Sequence, residues 1–155
     1  MKVEKDYEEL LESFNKNKVK YCIIGAYALA FFARPRYTKD IDILVENSIE
    51  NARRILRALN EFGFGSLQLS EEDFTESGQI IQLGYEPVRI DLITSIRGVD
   101  FQQIWKNRAT GKFGQQQVFF IGMDDFIASK KISNRRQDQA DLEVLQEVLN
   151  RKKNS

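Results

Sequence analysis

Two aspartates at alternate positions, Asp40 and Asp42, are the residues of this sequence best suited to chemistry. Ile41 and Ile43 alternate with them, so in a β-strand both carboxylates leave one face while the isoleucines enter the core. Carboxylates on one face repel each other, and folding alone gives no reason to place them there. A divalent cation does give a reason, because magnesium prefers oxygen ligands.

The overall composition limits what other chemistry is open to the chain. It has 155 residues, 42% hydrophobic and 30% charged, which predicts one compact domain over 1–155. Basic and acidic residues balance at 23 each, so no bulk attraction to nucleic acid or to a membrane is expected. The sequence has no histidine, which excludes Ser-His-Asp triads and ordinary zinc sites. Catalysis would therefore use carboxylates, lysines, arginines or a bound metal.

The sequence also bears on location and on partners. Cys22 is the single cysteine and cannot form an internal disulfide, which fits a reducing compartment. The N-terminus has no apolar signal-peptide core, and no later stretch is long enough to cross a bilayer. We expect a cytoplasmic protein with no membrane partner. No helix-turn-helix signature with a basic recognition helix is present, so sequence-specific DNA binding is not expected.

Helical and strand patterns alternate along the chain. Apolar spacing predicts helices over 6–17, 26–33, 49–62, 100–106, 123–132 and 137–151, and strands over 19–24, 41–45, 80–85, 88–94 and 117–121. Ser48 is expected to cap the third helix and Gly63 to end it, and Glu86-Pro87 is expected to turn the hairpin. The pattern predicts an α/β (α+β) fold in which helices pack on a mixed β-sheet.

The order of these elements resembles that of the DNA polymerase β-like nucleotidyltransferase superfamily: a strand, a glycine, a short helix and then the Asp-Ile-Asp strand. The signature of that superfamily is a hydrophobic residue, Gly, Gly or Ser, a spacer, an acid-hydrophobic-acid strand and a third acid on a later strand. The matching residues are Ile24-Gly25-Ala26, Asp40-Ile41-Asp42 and Ile90-Asp91-Leu92. The resemblance implies a nucleotidyltransferase-type sheet with its core at about 19–146. It also implies transfer of a nucleoside monophosphate group from a nucleoside triphosphate to a hydroxyl.

Within this superfamily the chain looks most like small bacterial members related to the AbiEii and MenT toxin-type transferases. Two further groups match their motifs: Arg36, Thr38 and Lys39 before the acidic pair, and Lys130, Arg135, Asp138 and Asp141 near the end. This resemblance implies an RNA end, a protein side chain or a small molecule as acceptor, and it favours RNA or protein over an antibiotic. It also raises the hypothesis of a toxin–antitoxin component.

The resemblance assigns a role to each matching site residue. Asp40, Asp42 and Asp91 would be the catalytic residues and the ligands of Mg²⁺ or Mn²⁺, with two ions expected. The residues implied to bind the nucleotide phosphates are Gly25, Ala26, Arg36, Thr38, Lys39 and Lys130. Gly25 would bring the backbone close to the triphosphate at the start of the helix, where free N–H groups favour anions.

Simpler interpretations of the same residues stay open. Asp91 can pair with Arg89 or Arg97 on the sheet surface, and Gly25 can be an ordinary strand-to-helix turn. Surface charge alone can explain Arg36 and Lys39.

The end of the chain has ordinary explanations too. Lys130 and Lys131 are adjacent, so only one can enter a cleft, and a solvated face is the default expectation for both. Asp138 and Asp141 can cap the last helix or bond back to Arg135.

One residue departs from the superfamily pattern, because Ala26 stands where Gly or Ser is usual. A serine hydroxyl that would contact phosphate is therefore absent. This motivates the alternative of a non-catalytic module that binds a nucleotide or a partner without turnover. Since the chain is short, we expect the acceptor to be held either by the segment 64–85 or by a partner.

Overall fold

A six-stranded mixed sheet lies at the centre of the computed structural model, which describes residues 4–35, 38, 40–64, 67–85 and 88–154. Its strands are β1 Tyr21–Ile24, β2 Asp40–Val45, β3 Ile80–Tyr85, β4 Val88–Ile93, β5 Ala109–Phe113 and β6 Gln116–Phe120. Their order across the sheet is β3-β4-β2-β1-β6-β5. Strand β2 is parallel to β4 and antiparallel to β1, and an antiparallel hairpin forms each edge.

Helices cover both faces of the central strands. They are α1 Lys5–Lys16, α2 Gly25–Phe32, α3 Ile49–Phe62, α4 Glu72–Thr75, α5 Phe101–Lys106, α6 Met123–Ile132 and α7 Arg136–Lys153. Consecutive residues Tyr21, Cys22 and Ile23 are all buried, although alternate side chains point to opposite faces. Both faces must therefore be covered. Helix α1 packs on α3, and α6 packs on α7.

The predicted fold class is confirmed: the described residues form one compact α+β domain with a mixed sheet. Helix α3 has the bounds expected from its caps, since the Ser48 hydroxyl accepts a hydrogen bond from the Asn51 N–H and Gly63 ends the helix at φ +108°. Two elements were not predicted, β5 and the short helix α4. The predicted turn at Glu86-Pro87 lies outside the described residues.

Candidate active site

Three aspartates from two neighbouring strands converge at one place on the sheet. Asp40 and Asp42 lie on β2 with Ile41 and Ile43 buried between and beyond them, as the alternation predicted. Asp91 lies on β4 directly beside Asp42 in the parallel register. Each of the three carboxylates offers an oxygen within 4.8 Å of the others. The structure therefore brings together the three acids that the sequence singled out.

Gly25 lies against this cluster, at a position where a residue with a side chain does not fit. The strand β1 ends opposite Asp42, and the chain turns into α2 through Gly25 at φ +68°. A Cβ atom at this position would lie 2.5 Å from Asp42 Oδ2. A larger residue would thus be strained in its backbone and would also displace the carboxylate. The start of α2 and the acidic cluster are in direct contact.

Arg89 is a site residue that sequence analysis considered only as a surface partner of Asp91. Its Nη2 lies 2.5 Å from Asp40 Oδ2 and 3.0 Å from Asp91 Oδ2, so one guanidinium bridges two of the three acids. The usable signal was the alternation on β4, which places Arg89 and Asp91 on one face. A buried oxygen of the cluster, Asp91 Oδ1, still has no hydrogen-bond partner in the described structure.

The cluster carries more negative charge than Arg89 balances. Burial raises the pKa of Asp42 to about 7, and repulsion from Asp40 and then Asp91 adds to the effect, while Arg89 and Lys130 oppose it. An additional cation would relieve this repulsion. A set of oxygen ligands from three carboxylates, one with an unused buried oxygen, fits a hard divalent ion such as Mg²⁺ or Mn²⁺.

A buried lysine, Lys130, lines the same cleft as the acidic cluster. Lys130 is only 8% exposed, so the expectation of a solvated face is wrong for it, whereas Lys131 is exposed. Its Nζ donates to Asp138 Oδ1 at 2.7 Å and to Asp141 Oδ2 at 3.1 Å. A buried ammonium group requires such partners, and two carboxylates of α7 supply them.

Asp138 also joins the end of α6 to the start of α7. It accepts a hydrogen bond from Arg135 Nε at 2.8 Å, as predicted, and another from the Ser133 hydroxyl. Although burial alone would raise its pKa, the hydrogen bonds from Arg135, Lys130 and Ser133 hold the pKa of Asp138 well below its usual range. Asp138 therefore stays ionised and fixes Lys130.

The remaining predicted phosphate-binding residues have different surroundings. The Thr38 hydroxyl lies 3.1 Å from Asp40 Oδ1 and 3.0 Å from the Asp40 carbonyl oxygen, so it braces this acid. Ala26 is buried at 7% exposure in the first turn of α2. Arg36 and Lys39 lie outside the described residues.

One cleft of about 800 Å³ joins these groups. Its lining includes Gly25, the three aspartates, Arg89 and, from α6 and the start of α7, Lys130, Arg135 and Asp138. This volume lies in the upper part of the range of about 300 to 1,000 Å³ that is usual for small-ligand sites. The cleft is therefore large enough to bind a small molecule.

The sheet order, the glycine that starts α2 and the converging acids define a nucleotidyltransferase-type domain. The chain belongs to the family described as "Nucleotidyl transferase of unknown function (DUF2204)", whose model matches residues 3–155. This confirms the predicted resemblance at the level of nucleotidyltransferases. No curated protein matches the sequence.

The fold is also similar to a solved structure, a crystal structure of the lincosamide antibiotic adenylyltransferase LnuA in its lincomycin-bound form. The TM-score is 0.56 at 15% sequence identity, over 94% of this chain and 97% of that chain. Identity this low shows a shared fold. In the part of the chain that the structure describes, no helix has the length and apolar character needed to cross a membrane.

Proposed function

We propose that this protein is a metal-dependent nucleotidyltransferase that moves a nucleoside monophosphate group from a nucleoside triphosphate to an acceptor hydroxyl. The observation that carries the proposal is the convergence of Asp40, Asp42 and Asp91, with oxygens within 4.8 Å of one another beside Gly25. Gathering three acids at one place opposes folding. Binding a divalent cation and a triphosphate gives the arrangement a purpose.

The chemistry of this reaction matches what the cleft offers. Nucleotidyl transfer needs positioned groups and neutralised charge and little covalent help from the protein. Divalent cations held by the three aspartates would neutralise phosphate charge and lower the pKa of the attacking hydroxyl. Gly25 begins α2, whose first turn has free N–H groups that favour the triphosphate. The proposed site therefore has an anion-binding end and a metal-binding centre.

Lys130 and Arg135 would act on the other side of the nucleotide. Lys130 lines the cleft that holds the acids, and Arg135 is 81% exposed at the start of α7. A partly neutralised buried lysine and an exposed arginine suit phosphate oxygens that arrive with the substrate. Thr38 would hold Asp40 in place for the metal, and Arg36 and Lys39 remain proposed phosphate ligands.

The test is isothermal titration calorimetry with each of the four ribonucleoside triphosphates, with and without magnesium. We expect wild type to bind at least one of them only with magnesium. Asp42→Asn should lose that binding, because the substitution removes a charged metal ligand at the centre of the cluster.

The matched control is Asp6→Asn, which changes the same charge at an exposed position of α1. It should bind as wild type does. Binding that persists without magnesium in both wild type and Asp42→Asn would contradict the metal-dependent enzyme and favour the non-catalytic binding module that Ala26 suggested.

A finer proposal concerns the AbiEii- and MenT-like subtype and a toxin–antitoxin role. It is supported by the residues of the C-terminal motif, because Lys130, Asp138 and Asp141 form one buried cluster. Induced expression with and without the neighbouring gene product tests it, with growth arrest relieved only by the neighbour as the expected result. A cytoplasmic location is also proposed. Cys22 is a free thiol, as expected for a single cysteine, and it is buried.

A further inference from the structure

An apolar strip lies in the same cleft, beside the acidic cluster. On β4 the cleft-facing residues run Arg89, Asp91 and Ile93, and Ile93 pairs across the ladder with Ile80 of β3. The strip is continued by Ile96 in the loop after β4 and by Ile132 at the end of α6. We call these four residues, Ile80, Ile93, Ile96 and Ile132, the isoleucine strip.

Two members of the strip are unusually exposed for their type. Ile80 is 66% exposed and Ile132 is 40% exposed. Large hydrophobic side chains this exposed are few in the described structure, and these two line one cleft. Ile132 is held there because its Cδ1 fills the space above Gly98, where an added Cβ would lie 2.0 Å from it. Apolar surface gathered in a cleft marks a place where a ligand displaces water.

The strip and the anion-binding start of α2 lie on opposite sides of the acids. Across the sheet the order is β1 with Gly25, β2 with Asp42, β4 with Asp91 and β3 with Ile80. In nucleotidyl transfer the attacking and leaving oxygens are roughly in line. With the triphosphate at α2, pyrophosphate leaves on the Gly25 side. The acceptor oxygen must then approach from the Asp91 side, where the strip lies.

The charges near the strip favour a neutral acceptor. Binding a polynucleotide needs several cations along its phosphates. Of the cations that line the cleft, Arg89, Lys130 and Arg135 are paired with carboxylates. The proposed function already assigns Lys130 and Arg135 to the triphosphate, so they are not available to a polynucleotide acceptor. In the loop after β4, which carries Ile96, Arg97 also lines the cleft. One arginine beside four isoleucines suits an apolar body with few negative charges.

We propose that the isoleucine strip binds the apolar body of a neutral, hydroxyl-bearing small molecule, which is the acceptor of the transfer. This inference rests on the proposed function and names its acceptor class. The acceptor oxygen forms a bond to the α-phosphorus while the bond from that phosphorus to the bridging oxygen breaks. The bond pair leaves with pyrophosphate, and the hydroxyl proton passes to water.

The test uses 2-naphthylmethanol, a neutral probe with an apolar ring system and one hydroxyl, whose fluorescence reports transfer out of water. Binding is first measured without nucleotide. We expect saturable binding to wild type that weakens about fivefold or more in Ile80→Asn, because the contact loses apolar surface. Ile49→Asn is the matched control, since Ile49 is 57% exposed and does not line the cleft. It should bind as wild type does.

The second measurement adds magnesium and the triphosphate that wild type binds. We expect the probe to become a naphthylmethyl nucleotide ester, with KM raised in Ile80→Asn and kcat nearly unchanged. Asp42→Asn should still bind the probe and form no ester. A probe that binds but is not nucleotidylated would overturn the assignment of the strip to the acceptor.

Other outcomes separate this inference from the proposed function. Wild type that binds magnesium and triphosphate but binds the probe no better than Ile80→Asn overturns the inference alone. Wild type that binds the probe but no triphosphate overturns the proposed function, and the acceptor role with it. An oligouridine RNA that accepts the nucleotide equally well in wild type and Ile80→Asn, in preference to the probe, would replace the neutral acceptor with RNA.

Discussion

At the scale of single residues, the carboxylates of Asp40, Asp42 and Asp91 repel one another, and Arg89 balances only part of their charge. Asp42 lies beside Asp91 in the sheet and two residues from Asp40 on the same face, and Gly25 lies against its carboxylate. Arg89 bridges the outer pair, Asp40 and Asp91, and leaves Asp42 without a hydrogen bond from it. The charge of Asp42 is therefore the least favourable of the three, and a divalent cation would relieve most repulsion there.

Burial of Asp42, together with this repulsion, predicts how the stability of the metal-free protein depends on pH. The folded state raises the pKa of Asp42 to about 7, whereas an unfolded chain ionises this group near its ordinary value. The native state thus binds more protons between these values, and its stability falls as pH rises from about 4 to about 7. Asp42→Asn removes this loss. We expect the variant to be more stable than wild type at pH 8 by about 1 to 3 kcal/mol.

Urea unfolding in EDTA at several pH values measures the difference. It should be close to zero near pH 4, grow through the interval and level off above pH 7. Asp6→Asn, at an exposed site, should show no such trend. A difference between Asp42→Asn and wild type that stays constant with pH would mean that the carboxylate is not destabilised by its surroundings.

At the scale of elements, sequence reasoning succeeded where local signals determine the structure. Helix α3 has a cap, an amphipathic stripe and a terminal glycine, and its bounds were predicted from them. Strand β5 was missed because Gly111 is unusual in a strand. The reason for that glycine is tertiary: an added Cβ would lie 2.5 Å from a carbon of the Phe31 ring, which stacks on Phe120 at 4.2 Å.

The same distinction applies to the candidate site. The alternation in β2 predicted that Asp40 and Asp42 share a face, because period two is a local property of a strand. The bridging role of Arg89 depends on the register of β4 against β2, which sets Arg89 beside Asp40. The burial of Lys130 depends on how α7 packs against α6. The contact of Arg89 with Asp40 and the contacts of Lys130 with α7 each join two elements, so the sequence pattern of a single element cannot predict them.

The junction of α6 and α7 gives a prediction at this scale. Lys130→Met keeps most of the side-chain volume but leaves Asp138 and Asp141 buried without their ammonium partner. Breaking a buried ion pair by removing one partner costs about 3 to 5 kcal/mol. Because Arg135, Ser133 and Gln137 still donate hydrogen bonds to these acids, we expect the lower end of this range.

Lys131→Met is the matched control, since it removes the same charge from the adjacent, exposed position. Equilibrium urea unfolding at pH 7 should show the loss for Lys130→Met and a change within about 0.5 kcal/mol for Lys131→Met. Equal effects of the two substitutions would contradict the buried ion-pair cluster.

At the scale of the whole molecule, the cleft connects distant parts of the chain. It is lined from Ile24 at the end of β1 to Asp138 in the first turn of α7, with β2, β3, β4 and α6 contributing between them. A ligand in the cleft would therefore contact most of the structural elements that must separate on unfolding. Its binding free energy should stabilise the domain as a unit and not one loop.

Thermal unfolding measures this coupling. With magnesium and a triphosphate at about 100 times its Kd, the free energy of unfolding should rise by about 2.7 kcal/mol. For a domain of this size that corresponds to an increase in Tm of about 8 °C. The increase should vanish in EDTA and in Asp42→Asn, even though that variant is the more stable protein without ligand at pH 8. Asp6→Asn should retain it in full. An increase that survives in Asp42→Asn would place the bound nucleotide away from the acidic cluster, because only a ligand that needs the central carboxylate loses its stabilising effect when that carboxylate is removed.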